Sequence, residues 1–170
     1  MRNSLTVMDE GQSAAVISKC QSPEPAELRS ALERVGWRFT RQRAAVYTYL
    51  TSVHTHPTAE EVYAAVRAVI PNISLATVYK CLEALVACKL AAKLSFGDGA
   101  ARYDCRTDNH YHIRCLKTGQ VRDLPIPHDP ELVAKLDASV AGVLRQQGFE
   151  VTDYHLELLG YFSTSDAASK

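Results

Sequence analysis

Apolar positions along the chain fall into two regimes. From Pro23 to about Cys88 they recur at helical spacing, three or four residues apart. Leu28, Ala31, Leu32 and Val35 share one face of a first predicted helix, which starts near Pro23 or Pro25 with Ser22 as its cap and ends before Gly36. Thr40 caps a second, with Val46, Tyr49 and Leu50 inward. Thr58 and Glu61 have capping-box spacing, and Val62, Ala65, Val66 and Val69 follow on one face until Pro71. Ser74 opens a fourth helix whose inner face is Leu75, Val78, Leu82 and Leu85. Four short helices joined by tight turns suit a helix-turn-helix arrangement.

Beyond residue 88 the period shortens. Leu90 to Phe96 and Ala100 to Asp104 flank Gly97-Asp98-Gly99 and read as a hairpin, which beside a helix-turn-helix is a wing. Tyr111–Leu116 and Val121–Leu124 read as two further strands. Asp129-Pro130 then opens a helix with Leu132, Leu136, Val140, Val143 and Leu144 as its buried stripe, closed by Gly148. Phe149 to Phe162 is strand-like. The expected fold is α+β: residues 1–22 a mobile tail, 23–104 a winged helix-turn-helix, and 105–165 a small ββαβ module.

Charge sharpens this picture. The net formal charge is zero, with 19 basic and 19 acidic side chains. Arg29, Arg34, Arg38, Arg41 and Arg43 are nevertheless clustered, opposed within the cluster only by Glu33. A local basic face on a neutral protein steers phosphate without general stickiness. No apolar run approaches the roughly 20 residues that span a bilayer, and no secretory signal is visible, so a cytoplasmic protein without membrane contact is expected. Five cysteines, none in C-x-x-C spacing, exclude an ordinary four-cysteine zinc site and disfavour a disulfide framework.

Two segments carry chemistry. In His110-Tyr111-His112 the imidazoles at i and i+2 of a strand point to the same side. Asp104 and Asp108 flank them, and Asp123 lies on the strand expected to pair with theirs. Two histidines with carboxylates suit Fe(II), Mn(II) or Zn(II); surface histidines on an exposed strand are the plainer alternative. The fourth helix begins with Ser74, Ala76 and Thr77, small enough for close approach to DNA. Tyr79 and Lys80 follow on its outer side, placed to meet thymine methyls and phosphate or guanine.

The chain resembles the ferric uptake regulator family of metal-dependent repressors, most closely its peroxide-sensing branch. The segments that carry the resemblance are Gly36–Arg43, His56–Tyr63, Pro71–Tyr79, Arg102–Asp104, His110–His112 and Gly119–Asp123. It implies a homodimer that represses transcription from an A·T-rich palindromic site in double-stranded DNA. It implies one regulatory Fe(II) or Mn(II) per chain, with Zn(II) a possible substitute in vitro, held by His56, Asp104, His110, His112 and Asp123. DNA contacts fall on Arg38, Arg41, Ser74, Thr77, Tyr79 and Lys80. The branch is indicated by Asp104 and by Asp123, where iron sensors usually carry Glu. Peroxide is then sensed through oxidation of His56 and His110. An iron-responsive or other metal-responsive repressor is the alternative within the family.

The departures are equally specific. The family's two C-x-x-C pairs fall here on Cys115 and Thr118 and on Phe162 and Ser165, so no structural zinc is expected. Its additional site falls on Asn109, Tyr111 and Tyr154, which are poor ligands, so that site is expected to be missing. A non-haem iron enzyme would use a similar donor set, but a winged helix would have no purpose in one, and no enzymatic activity is expected. A zinc-storing module would show no metal-dependent binding to DNA.

Overall fold

The computed structural model describes residues 25–95, 99–136 and 138–163. The predicted tail over 1–22 and most of the wing turn lie outside them, as does Ser165.

Four helices build the first half: α1 (Pro25–Arg34), α2 (Arg41–Ser52), α3 (Ala59–Val66) and α4 (Leu75–Ala87). Their starts follow side-chain chemistry. Thr40 Oγ1 accepts from the Arg43 amide and Ser74 Oγ from the Thr77 amide. Thr58 and Glu61 complete the expected capping box, each satisfying the other's backbone N–H. Gly36, at φ 79°, ends α1 in the left-handed conformation that a side chain disfavours.

The inward faces merge into one core. Leu32, Val46, Leu50, Val62, Val78, Leu82 and Leu85 are fully buried in it, each contributing about 1.5–3 kcal/mol relative to exposure. Three expected inward positions differ. Tyr47 is more buried than Tyr49. Val35 is 42% exposed and Val69 62%, because α1 and α3 end at Arg34 and Val66 and the following turns rotate both side chains outward.

The wing pairs β1 (Ala92–Leu94) with β2 (Arg102–Asp104), antiparallel. An isolated bridge joins Thr58 to Arg102, and the Tyr103 amide donates to the Pro57 carbonyl at 3.0 Å. The loop before α3 is thereby stitched to the wing.

The second half is a three-stranded sheet of order β4-β3-β5, from β3 (Tyr111–Cys115), β4 (Val121–Leu124) and β5 (Glu157–Gly160). β4 runs antiparallel to β3 and β5 parallel to it, so the crossover must be long. The helices α5 (Leu132–Leu136) and α6 (Ala138–Gln146) supply it. Here the sequence reading needs correction. The helix expected from Asp129-Pro130 begins at Leu132 and is helical over Leu132–Leu136 and Ala138–Gln146, residue 137 lying outside the described ones, and the strand expected over 149–162 shrinks to four residues. The stripe is not buried either: Leu132, Val140 and Leu144 are half-buried and Val143 is 50% exposed, since no element among the described residues closes over that face. The side chain of Leu136 lies outside the described ones. Among the described residues no helix is long and apolar enough to cross a membrane.

Candidate metal centre

Five side chains from four separate segments meet where the two halves join. His56 comes from the loop between α2 and α3. Asp104 ends β2, His110 immediately precedes β3, His112 lies in β3, and Asp123 sits directly opposite His112 on β4. One nitrogen or oxygen from each falls within 4.8 Å of all the others.

The backbone holds His56 in place at a cost. Its φ of 44° is left-handed, a conformation worth about 1–3 kcal/mol of strain when imposed on a side-chain-bearing residue. The Arg102 guanidinium donates to its carbonyl at 2.9 Å and to Glu61 at 3.3 Å. This ties the histidine to the wing and to the α3 cap together. His56 is 4% exposed and Asp104 3%.

His56 Nε2 lies 2.7 Å from Asp123 Oδ1, and His110 Nε2 lies 3.0 Å from Asp104 Oδ2 and 3.3 Å from Asp123 Oδ1. His112 Nε2 is 3.9 and 4.0 Å from the same two oxygens. The distances are short, yet the approach directions are not those of hydrogen bonds. His56 Nε2, Asp104 Oδ2, His110 Nε2 and Asp123 Oδ1 are buried without a hydrogen-bond partner. Burying four such atoms side by side is strongly unfavourable unless something else binds them.

On the far side of the cluster Asp104, Asp123 and His110 are engaged. Asp104 Oδ1 accepts from the Arg106 amide at 2.8 Å, and Asp123 Oδ2 from Arg106 Nη1 at 3.1 Å. His110 Nδ1 donates to the Asp108 carbonyl at 2.7 Å, which turns Nε2 toward the cluster as the nitrogen that an ion could take once its proton is displaced. Burial works against the charged forms, but the facing groups prevail. Asp104 and Asp123 are held well below the usual carboxylate range, by His110 first among their partners, and Asp104 and Asp123 push His110 up to about 10.

Other expected site residues are placed as follows. Tyr79 and Lys80 are exposed on α4, with the Tyr79 hydroxyl donating to Glu60 at 2.8 Å. Ser74 and Thr77 also share a 2.9 Å hydroxyl contact at the start of α4. Arg38 and Arg41 are exposed before and at the start of α2. Arg43 from the same cluster instead stacks on Trp37, 4.8 Å from the ring centroid, and donates to the Arg38 carbonyl at 2.5 Å.

Cys115 is buried. Its thiol is lowered to about 7 by the Thr118 hydroxyl and by backbone amides of Phe162, Thr118 and Lys117. Tyr111 and Tyr154 share a 2.6 Å hydroxyl contact, with the Asp129 amide donating to Tyr111 at 2.7 Å. The Asn109 amide donates to Asp153 at 3.4 Å. The sequence reading did not single out Arg102 or Arg106. The run Asp104-Cys-Arg-Thr-Asp108, a base equidistant from two acids, was the available signal for the second.

The ferric uptake regulator family profile matches residues 34–159. The chain belongs to that family. It is accordingly a metal-dependent, DNA-binding, dimeric transcription regulator and not an enzyme. It is 39% identical over 137 residues to the peroxide-responsive repressor PerR of Staphylococcus epidermidis, covering 81% of this chain and 87% of that protein. A solved zinc-bound manganese uptake regulator is 31% identical at TM-score 0.60, covering 80% of this chain and 98% of that one. The Campylobacter jejuni peroxide stress regulator is 27% identical at TM-score 0.52, covering 82% and 96%.

Proposed function

We propose that His56, Asp104, His110, His112 and Asp123 hold one Fe(II) or Mn(II) per chain, with Zn(II) a substitute in vitro, and that the protein is a repressor responding to peroxide. The observation that carries this is the set of buried, unpartnered donor atoms facing one another. Three nitrogens and two oxygens suit a borderline divalent ion rather than calcium, which prefers oxygen throughout. The relatives named peroxide-responsive support the choice of signal.

His56 belongs to the helical half and His110, His112 and Asp123 to the sheet half. An ion shared among them fixes one arrangement of the halves, and the dimer then presents both α4 helices to a palindromic, A·T-rich site. Tyr79 and Lys80, with Ser74 and Thr77 at the helix start, face the major groove. Arg38 and Arg41 lie along the backbone and the adjacent minor groove. Fe(II) held there would supply the redox chemistry for cleaving peroxide's O–O bond. His56 and His110, the imidazoles nearest the carboxylate oxygens, are the rings that gain oxygen: one peroxide oxygen goes to a ring carbon, which gives up two electrons, and the other leaves as water. A modified ring is a poorer donor, so the joint between the halves loosens and DNA is released. With one thiol where the family places four, the sheet half carries no structural zinc. Asn109, Tyr111 and Tyr154, occupied with oxygen and amide partners, hold no second ion.

The test is peptide mass spectrometry of the Fe(II) and Mn(II) forms after brief peroxide exposure, with cysteines blocked, alongside operator binding. Added oxygen on His56 or His110 in the Fe(II) form alone, with loss of binding, is the expected result. Untouched histidines with retained binding would replace peroxide by iron or another metal as the signal. Equal DNA binding by metal-free and loaded protein would overturn the metal dependence of this centre. On the DNA side, Tyr79→Ala should reduce discrimination between sites by about 1–3 kcal/mol. Arg41→Ala should weaken all sites alike and lower the salt dependence by about one counterion.

A further inference from the structure

Arg106 stands beside the centre without pointing a donor atom into it, and it organises most of the centre's outer face. Its Nε and Nη2 form a fork on Asp108, at 3.0 Å to Oδ1 and 2.5 Å to Oδ2. The remaining Nη1 reaches Asp123 Oδ2 at 3.1 Å, across the joint from the loop after β2 to β4. Its backbone amide holds Asp104 Oδ1 at 2.8 Å. Asp108, fixed by the fork, presents its own carbonyl to His110 Nδ1 at 2.7 Å. One residue therefore orients Asp104 and Asp123 directly and His110 through its neighbour. The Arg106 side chain is 17% exposed and that of Asp123 28%, so the contact across the joint is less screened by water than the fork on Asp108, which is 60% exposed.

The consequence lies in the carboxylates. Each has one oxygen taken up by Arg106 and the other facing the histidines. A carboxylate held in this way offers a single oxygen inward. Resting on the metal-site reading above, we propose that Arg106 is a positioning residue that restricts Asp123 to one inward oxygen and presets the centre for its ion before the ion arrives.

Side-chain substitution separates the two carboxylates. Asp104 keeps its bond to the backbone amide at position 106 whatever the side chain, whereas Asp123 loses the partner of its outer oxygen. A competing account treats Arg106 as a positive charge that merely opposes a cation nearby. The two accounts predict opposite signs. Removing a repelling charge tightens cation binding; removing an orienting contact around a metal site weakens it, typically by about 10–100-fold. Lysine keeps the charge and loses the planar fork, so it divides the accounts again.

The experiment measures Mn(II) affinity of the full-length protein and of Arg106→Gln, Arg106→Lys and Arg122→Gln. The last removes a neighbouring cation that stacks on Phe162, 4.3 Å from the ring centroid. Electron paramagnetic resonance of bound Mn(II) and the thermal midpoint of the metal-free proteins are recorded in parallel. Both Arg106 variants should bind Mn(II) about 10–100-fold more weakly with an altered spectrum, while Arg122→Gln matches the wild type. Wild-type affinity and spectrum in both Arg106 variants, or tighter binding by Arg106→Gln, overturn the inference and leave the metal-site reading intact. A lowered thermal midpoint with an unaltered spectrum reduces Arg106 to a strap between the halves and likewise overturns it. Wild-type protein that takes up no Mn(II) overturns the metal-site reading and this inference with it.

Discussion

The helical half and the sheet half bury their apolar residues to very different extents. Among the described residues the contiguous core of sixteen buried side chains lies between Leu28 and Tyr103. Among the described side chains of the sheet half the buried apolar ones are Tyr111, Cys115 and Val121. Leu158 is 47% exposed, Leu159 55%, Phe149 59% and Tyr161 74%. Among the described residues β5 is moreover an edge strand, the kind of position that can pair with a further strand. Apolar surface of this extent commonly marks an interaction site. The family is dimeric, and the contrast suggests a division of labour to be tested: one half folds around its own core, and the other offers its open face to a second copy.

The strongest way to break this contrast is to charge the shared surface. Leu159→Asp places a carboxylate on β5 where apolar contact is needed. It should convert the protein to a monomer by sedimentation velocity and abolish operator binding, while the helical signal of α1–α4 persists. A variant that remains dimeric and binds DNA would show that the copies meet elsewhere.

The helical half should respond in the opposite manner. Leu82→Ala empties a fully buried site and should cost about 2–5 kcal/mol. Because that core belongs to one chain, the loss measured by denaturant titration should not vary with protein concentration. The stability of the sheet half should rise with concentration by mass action.

How far each half could be read from sequence follows the same division. Helix starts at Thr40, Thr58 and Ser74 were legible because a cap is a local contract between a side chain and amides three residues away. The stripe from Leu132 to Leu144 was read correctly as apolar and wrongly as buried, since periodicity shows which side must be covered and not which chain covers it. In the centre, the histidine spacing and the pairing of Asp123 with the histidine strand were visible from alternation. Asp104 was visible as one of two flanking acids, and the family resemblance chose it over Asp108; the assignment of His56 needed the resemblance entirely, because nothing local joins residue 56 to residue 110. Arg106 escaped notice because its role lies in what its partners do.

At the joint the two halves are coupled through protons. In the metal-free protein His110 is pushed from 6.5 up to about 10 by Asp104 and Asp123, against the effect of burial. The contribution of that protonated ring to stability is complete below pH 6.5 and fades as pH rises toward 10. Asp104 and Asp123, shifted downward, contribute above the ordinary carboxylate range and lose their contribution as pH falls below it. Metal-free protein should therefore lose stability from neutral pH toward alkaline pH. An ion must displace the proton, so Mn(II) affinity should rise about tenfold per pH unit between pH 6 and 8. Calorimetry in buffers of different ionisation enthalpy counts the protons; an ion taken up with none released would contradict this account of His110.

The smallest expected effect probes the seam between the halves. Thr58 caps α3 and lies two residues from His56, and Glu61, its capping partner, also accepts from Arg102. Thr58→Ala removes the hydroxyl that satisfies the Glu61 amide but leaves the Thr58 backbone contact to Glu61 and the Arg102 contact to the His56 carbonyl available. Losing an N-cap costs about 1 kcal/mol. The cost should fall on the helical half alone, as a lowered thermal midpoint in metal-free and Mn(II)-loaded protein alike, because the backbone that holds His56 is untouched. A loss of Mn(II) affinity in this variant beyond about threefold, which corresponds to about 0.65 kcal/mol, would mean that the cap itself holds His56. The boundary between the self-contained half and the shared half would then run through α3 and not through the joint.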